Sequence, residues 1–243
     1  MTAPLKPMGE TLPLVIAIDG PAGSGKSSVA KQVARELGIA FLDTGAAYRA
    51  LAWHVLDQAG DTEDPSVVVG ALEAFAFDES VDPDDFSVSV GGVDVTDAIR
   101  DPRVTAAVSG VARVPEARAH LTGVFRELMA AQPGGVIAEG RDITTVVAPD
   151  ARVRVLLTAE PAVRAARRGA ELGATGADGD AVARALARRD ASDSRVVDFI
   201  TAAPGVDVVD STDLDFEQTV AAVLALVERA TGEEAKGADH GSR

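Results

Sequence analysis

The chain has no cysteine in its 243 residues, which excludes disulfides, thiolate metal sites and a cysteine nucleophile together. Aromatic residues make up only 4%, so the core must be filled by Ala, Val and Leu, a composition suited to helices packed on a parallel sheet. Positive charge is scarce as well: 23 Lys and Arg stand against 38 Asp and Glu, a formal net charge of −15. A surface that negative repels the phosphate backbone of nucleic acid and argues against general DNA or RNA binding. Long apolar runs are missing. The longest near the start, Leu14 to Ile18, is far too short for a bilayer, and no charged start followed by an apolar stretch precedes it. These absences lead to the expectation of a soluble, cytoplasmic protein with no nucleic-acid and no membrane partner.

What is present is enough apolar material for a proper core, 47% of the chain, in a length that suits one large domain or a core carrying an insertion. Short apolar runs alternate with longer segments of helical period, the pattern of an α/β fold with a mostly parallel sheet between helical layers. Core strands are expected at Leu14–Ile18, Phe41–Asp43, Val136–Glu139, Arg152–Thr158 and Val206–Asp210. A helix over Ser27–Leu37 places Val29, Val33 and Leu37 four residues apart and ends at Gly38. Within 63–118 the stretch DPDDFSVSVGGVDVTDAIR alternates polar and apolar residues across Gly-Gly, an antiparallel hairpin in a small inserted subdomain. Residues 171–195 run from a Gly-rich start into an arginine-rich helix and loop, which reads as a mobile cover over an anion. The core then occupies 13–62, 119–170 and 196–230, with flexible tails at 1–12 and 231–243.

Gly20-Pro21-Ala22-Gly23-Ser24-Gly25-Lys26-Ser27 matches GxxxxGKS between a buried strand and an amphipathic helix, which is the context a phosphate-binding loop requires. Glycines let backbone N–H groups surround phosphate oxygens, and the helix N-terminus adds positive potential. Lys26 can reach the β- and γ-phosphates, and Ser27 can ligate Mg²⁺. No NKxD-type segment for guanine is present, so ATP is the expected nucleotide.

A second group lies on what would be the acceptor side. Tyr48 and Arg49 follow the second strand through a Gly turn, where a ring and a guanidinium can hold a base and a phosphate, or serve as a core aromatic and a solvated charge. Glu139-Gly-Arg141-Asp142 sits at a strand end, the edge where open α/β sheets bind ligands; Arg141 can take a phosphate there or form a structural pair with Asp142. Arg164, Arg167, Arg168, Arg184, Arg188, Arg189 and Arg195 form a third, basic group that can stabilise phosphoryl charge, with about half of them expected instead to be paired on helix surfaces. His54, His120 and His240 have no metal-site spacing. An acceptor kinase for some other small molecule, or an ATP-binding module without transfer, would share the phosphate loop; the acceptor set argues against the module.

These motifs together resemble the bacterial cytidylate kinases, P-loop nucleoside monophosphate kinases that phosphorylate CMP and dCMP with ATP. IAIDGPAGSGKSSVAKQVARELG with FLDTGAAYRA is similar to the family's N-terminal signature, and AVSGVARVPEAR, GGVIAEGRDITTVVAPDARVRVLLTA and RRDASDS are similar to its later motifs in the same order, from about Leu14 to Val227. The resemblance implies a P-loop core with a nucleoside-monophosphate-binding insertion and a lid, working with Mg²⁺ and ATP. It implies that Thr44, Tyr48 and Arg49 line the CMP pocket, that Ser109, Arg118 and Asp142 read cytosine, and that Arg141 contacts phosphate. Arg189 and Asp193 would reach sugar or phosphates, Ser28 and Arg164 would join the loop around ATP, and Lys26, Arg141 and Arg189 would be catalytic. A monomer is expected. Two departures stand out: the lid pattern reads RDASDSRVVDF, with Arg195 one residue early and no Pro-Leu, and Thr144 stands where the family commonly has glycine.

Overall fold

A computed structural model describes residues 13–239 apart from 172 and 174–176. The tail at 1–12, residues 240–243 with His240, and part of the Gly-rich start of the expected cover lie outside the described residues. The order of elements is β1 (Val15–Asp19), α1 (Lys26–Leu37), β2 (Ala40–Asp43), α2 (Thr44–Asp57), α3 (Pro65–Ala71), β3 (Phe77–Glu79), β4 (Val88–Val90) and β5 (Val93–Asp94). There follow α4 (Pro102–Ala112), α5 (Pro115–Ala130), β6 (Val136–Gly140), β7 (Val153–Thr158), α6 (Pro161–Glu171), α7 (Ala177–Asp193), β8 (Asp207–Asp210) and α8 (Phe216–Asp239).

Five strands form a parallel sheet in the order β2-β6-β1-β7-β8. Its inner strands are apolar because both faces are covered. Ile16, Ile18, Ile137, Val155 and Leu157 pack with Val29 and Val33 of α1 and Val220, Val223 and Val227 of α8. Ala17, Leu42 and Ala138 point the other way, onto Ala46, Ala47 and Ala50 of α2, Val108 and Val111 of α4, and Leu121 and Phe125 of α5. The alternation within each strand thus assigns helices to two outer layers. α1 ends where Gly38 takes a left-handed φ of 64° and its N–H returns to the carbonyls of Ala34 and Arg35.

The hairpin pattern yields β4 and β5 joined by Gly91-Gly92, both at positive φ, and β3 completes a three-stranded antiparallel sheet. At the C-terminus the helix α8 runs to Asp239, into the 231–243 segment expected as a tail, where Glu, Ala and Lys are strong helix formers that extend an existing helix at little cost. Among the described residues no helix is long and apolar enough to cross a membrane.

Candidate active site

The loop of Gly20 to Gly25 leaves the C-terminal end of β1, and its path depends on close backbone approach. A Cβ on Gly20 would stand 2.1 Å from the Leu157 carbonyl oxygen of β7, so only glycine fits. α1 begins at Lys26 with no side-chain cap, leaving its first N–H groups free for an anion. The end of β6 faces this helix start. Ser27 Oγ donates to Glu139 Oε1 at 2.5 Å, and Lys26 Nζ lies 3.7 Å from Glu139 Oε2. Burial pushes the Lys26 ammonium down and the Glu139 carboxyl up, with their mutual attraction opposing both shifts.

β2 ends beside β6, and its last residue, Asp43, organises the neighbouring turn. Asp43 Oδ1 accepts the Ala46 N–H at 3.0 Å and caps α2, while Oδ2 accepts from Arg49 Nη2 at 3.0 Å. Burial alone would raise the Asp43 carboxyl, but Arg49, Lys26 and the Ala46 N–H together hold it below its usual value. Thr44 Oγ1 donates to the Glu139 carbonyl at 2.8 Å, tying the two strand ends. Further along, Arg118 of α5 pairs with Asp142, whose carboxyl is raised by burial against the pull of that arginine.

These elements surround one cleft of about 650 Å³. Among the described residues nine Lys and Arg line it against five Asp and Glu, so it is a cationic hollow in an acidic molecule. Of the expected site residues, Ala22, Gly23, Gly25, Lys26, Ser27, Ser28, Thr44, Tyr48, Arg49, Ser109, Arg118, Arg141, Asp142, Arg189 and Asp193 all line this cleft. Tyr48 satisfies both of its readings, packing its ring on Phe125 at 6.2 Å between centroids while lining the cleft. The family model for cytidylate kinase matches residues 16–229.

The chain belongs to the cytidylate kinase family. It is 49% identical over 218 residues to a cytidylate kinase of Cutibacterium acnes, covering 89% of this chain and 97% of that one. It is 45% identical over 216 residues to one of Streptomyces coelicolor, covering 88% and 93%, and 45% identical over 217 residues to one of Mycobacterium avium, covering 88% and 95%.

Within this cytidylate kinase fold the arginine-rich group divides. Arg189 of α7 lines the cleft, its charge disfavoured by burial and by Arg141. Arg168 lines it too while paired with Glu171 at 2.8 Å. Arg164 does not line it: its guanidinium lies behind the loop, donating to the Ala22 carbonyl at 3.0 Å, the Ala159 carbonyl at 3.1 Å and Asp190 Oδ2 at 2.6 Å. Arg167 is occupied by Ser211 and the Leu214 carbonyl. Arg184, Arg188 and Arg195 are exposed and outside the cleft. Gly20, Pro21 and Ser24 form the back of the loop rather than its lining.

Both departures have a structural account. Thr144 needs no glycine-like backbone, since Ala59 alone among the described non-glycine residues has positive φ. Its N–H and hydroxyl both donate to Asp19 Oδ2, at 2.8 and 2.6 Å, fastening the turn after β6 to the end of β1. The segment RDASDSRVVDF that carries the other departure supplies Phe199, whose ring lies 4.1 Å beneath the Arg141 guanidinium. Arg141 also donates to Asp190 at 3.1 Å and pairs with Asp193 at 2.9 Å. Sequence reasoning did not single out Asp43, Asp190, Phe199, Lys31 or Arg100, of which Asp43, Lys31 and Arg100 line the cleft. Asp43 had a signal, as a carboxylate at a strand end next to a helix start. The others had none, for they come from distant segments. His54 is a buried residue bonded to Gln58 and packed on Phe75, and His120 also neighbours Phe75.

Proposed function

We propose that the chain transfers the γ-phosphoryl group of ATP to CMP or dCMP, giving ADP and CDP or dCDP. The observation that supports it most is a single cleft holding the phosphate loop with Lys26 and Ser27 together with Arg49, Arg118, Arg141 and Asp142. The loop N–H groups and Lys26 take the donor phosphates, with Ser28 beside them, and Arg164 supports the loop from behind through Ala22. Arg49 and Arg141 take the acceptor phosphate. Cytosine presents an N4 donor and a carbonyl acceptor, and the Asp142–Arg118 pair offers the complement, with Ser109 alongside. Thr44 and Tyr48 wall the acceptor pocket, and Arg189 and Asp193 reach it from α7.

The Ser27 hydroxyl beside the Glu139 carboxylate is an all-oxygen donor set that fits Mg²⁺, which Ser27 would hold together with the ATP phosphates. Bound there, it would help to neutralise charge on the donor phosphates. The attacking CMP phosphate is already anionic near neutral pH, so no general base is assigned. Catalysis is positioning plus charge stabilisation by Lys26, Arg141 and Arg189.

An ADP-release assay with Mg·ATP and each of CMP, dCMP, UMP, AMP and GMP at equal concentration tests this. CMP- and dCMP-dependent turnover well above the rest is expected. Preference for another acceptor would reassign the pocket, and ATP binding without acceptor-dependent turnover would leave a nucleotide-binding module.

A further inference from the structure

β2 is the edge strand of the parallel sheet, and its outward N–H groups need acceptors from elsewhere. The inserted subdomain supplies two. Phe41 N–H donates to the Val81 carbonyl at 2.8 Å, and two residues on, where the next backbone acceptor would stand in a regular added strand, Asp43 N–H donates instead to the side-chain Oε1 of Glu79 at 3.0 Å. Glu79, the last residue of β3, is only 4% exposed, and its Oε2 has no hydrogen-bond partner among the described residues. A buried carboxyl with one oxygen unpartnered, close to two other acidic side chains, is costly to keep for packing alone. What it touches is the residue that holds Arg49.

We propose that Glu79 is a positioning residue for the acceptor phosphate: by fixing the Asp43 peptide from the inserted subdomain, it sets the carboxylate on which the Arg49 guanidinium is held. Asp43 passes the placement on through its two oxygens, one capping α2 at Ala46 and one binding Arg49. Burial first, and then the negative charge of Asp43, push the Glu79 carboxyl well above its usual value, while Arg49 opposes and Glu139 adds to the rise. The neutral acid is thereby favoured, and a neutral amide can take its place. Glu79 lies outside the cleft lining, so it acts through Asp43 and not on the ligand.

This inference rests on the reading that Arg49 binds the acceptor phosphate. The test compares Glu79→Met, which keeps the bulk and removes the acceptor, with Glu79→Gln, which keeps the acceptor without the acid. Glu79→Met is expected to raise KM for CMP about tenfold while kcat and KM for Mg·ATP stay within about twofold, and Glu79→Gln to return KM for CMP to within about twofold of wild type. An unchanged KM for CMP in Glu79→Met, an equal rise in both KM values, or a Glu79→Gln variant as impaired as Glu79→Met would each overturn the assignment. Should Glu79→Met be recovered unfolded, Glu79→Asp, which withdraws the oxygen by one methylene, is read in the same way. A wild-type chain that fails to turn over CMP would sink the functional reading itself, whereas active wild type matched by Glu79→Met sinks only the role of Glu79.

Discussion

At the residue scale, charge placed without water around it dominates. Lys26 faces Glu139 across 3.7 Å in a buried corner, its ammonium pushed down by burial, so it meets arriving phosphate with little solvent to displace. Lys26→Ala is expected to cut turnover by about 10²–10³-fold, in the range for a lost transition-state contact, with the far-UV circular dichroism unchanged. Turnover near the wild-type value would take Lys26 out of the chemistry. Arg141 is stacked on Phe199 and bonded to Asp190 and Asp193, a site that fixes its plane before any ligand arrives. Arg141→Ala should raise KM for CMP on the order of tenfold or slow transfer by a similar factor, as for other lost bonds to a charged group, in steady-state kinetics. Unchanged kinetics would remove it from the site.

At the scale of elements, one carboxylate of α7, that of Asp190, joins three groups of its surroundings, beside the Asp193–Arg141 pair at 2.9 Å. Asp190 Oδ1 accepts from the Ala22 N–H at 3.3 Å and from Arg141 at 3.1 Å, while Oδ2 accepts from Arg164 at 2.6 Å. A helix whose other described face is largely exposed depends heavily on such a clasp. In the Asp190→Ala variant amide exchange over the described part of α7 should quicken on the order of tenfold, since removing one partner leaves buried cations uncompensated. Exchange in β1 should stay as slow as in the wild type. Uniform protection across both elements would show that other contacts carry α7.

At the scale of the whole molecule, Glu79, Glu139, Asp19 and Asp142 all have carboxyls raised chiefly by burial. A carboxyl whose folded pKa exceeds its unfolded value of about 4 contributes stability that is complete below that value and is lost as pH rises through the folded one. The net charge of −15 adds self-repulsion of the same sign as pH rises. Asp43 and the exposed Asp64, Asp94, Asp198 and Asp210 are lowered, and their contribution is lost only on further acidification. Tm should therefore fall from about pH 5.5 to pH 8 at constant ionic strength, measured by calorimetry. A Tm that rises over that interval would mean that groups of the opposite sign, the Lys26 and Lys31 ammoniums lowered by burial, outweigh the raised carboxyls.

The sequence by itself determined the features governed by neighbours along the chain. The strand–loop–helix of Val15–Leu37, the Gly91-Gly92 hairpin and the strand end at Glu139-Gly140-Arg141 were legible because their signals are short in sequence: apolar period, glycine at turns, lysine and serine at a helix start. Family motifs carried the acceptor residues from Thr44 to Asp193, which one cleft collects. Only the tertiary structure decided which charges meet. That Arg164 backs the loop instead of lining the cleft, that Asp190 clasps Ala22, that Phe199 supports Arg141 and that Glu79 reaches Asp43 all depend on sheet order and on where the insertion returns to the β2 edge. Such pairings join residues far apart along the chain, where no local propensity acts and three-dimensional packing alone selects the partner.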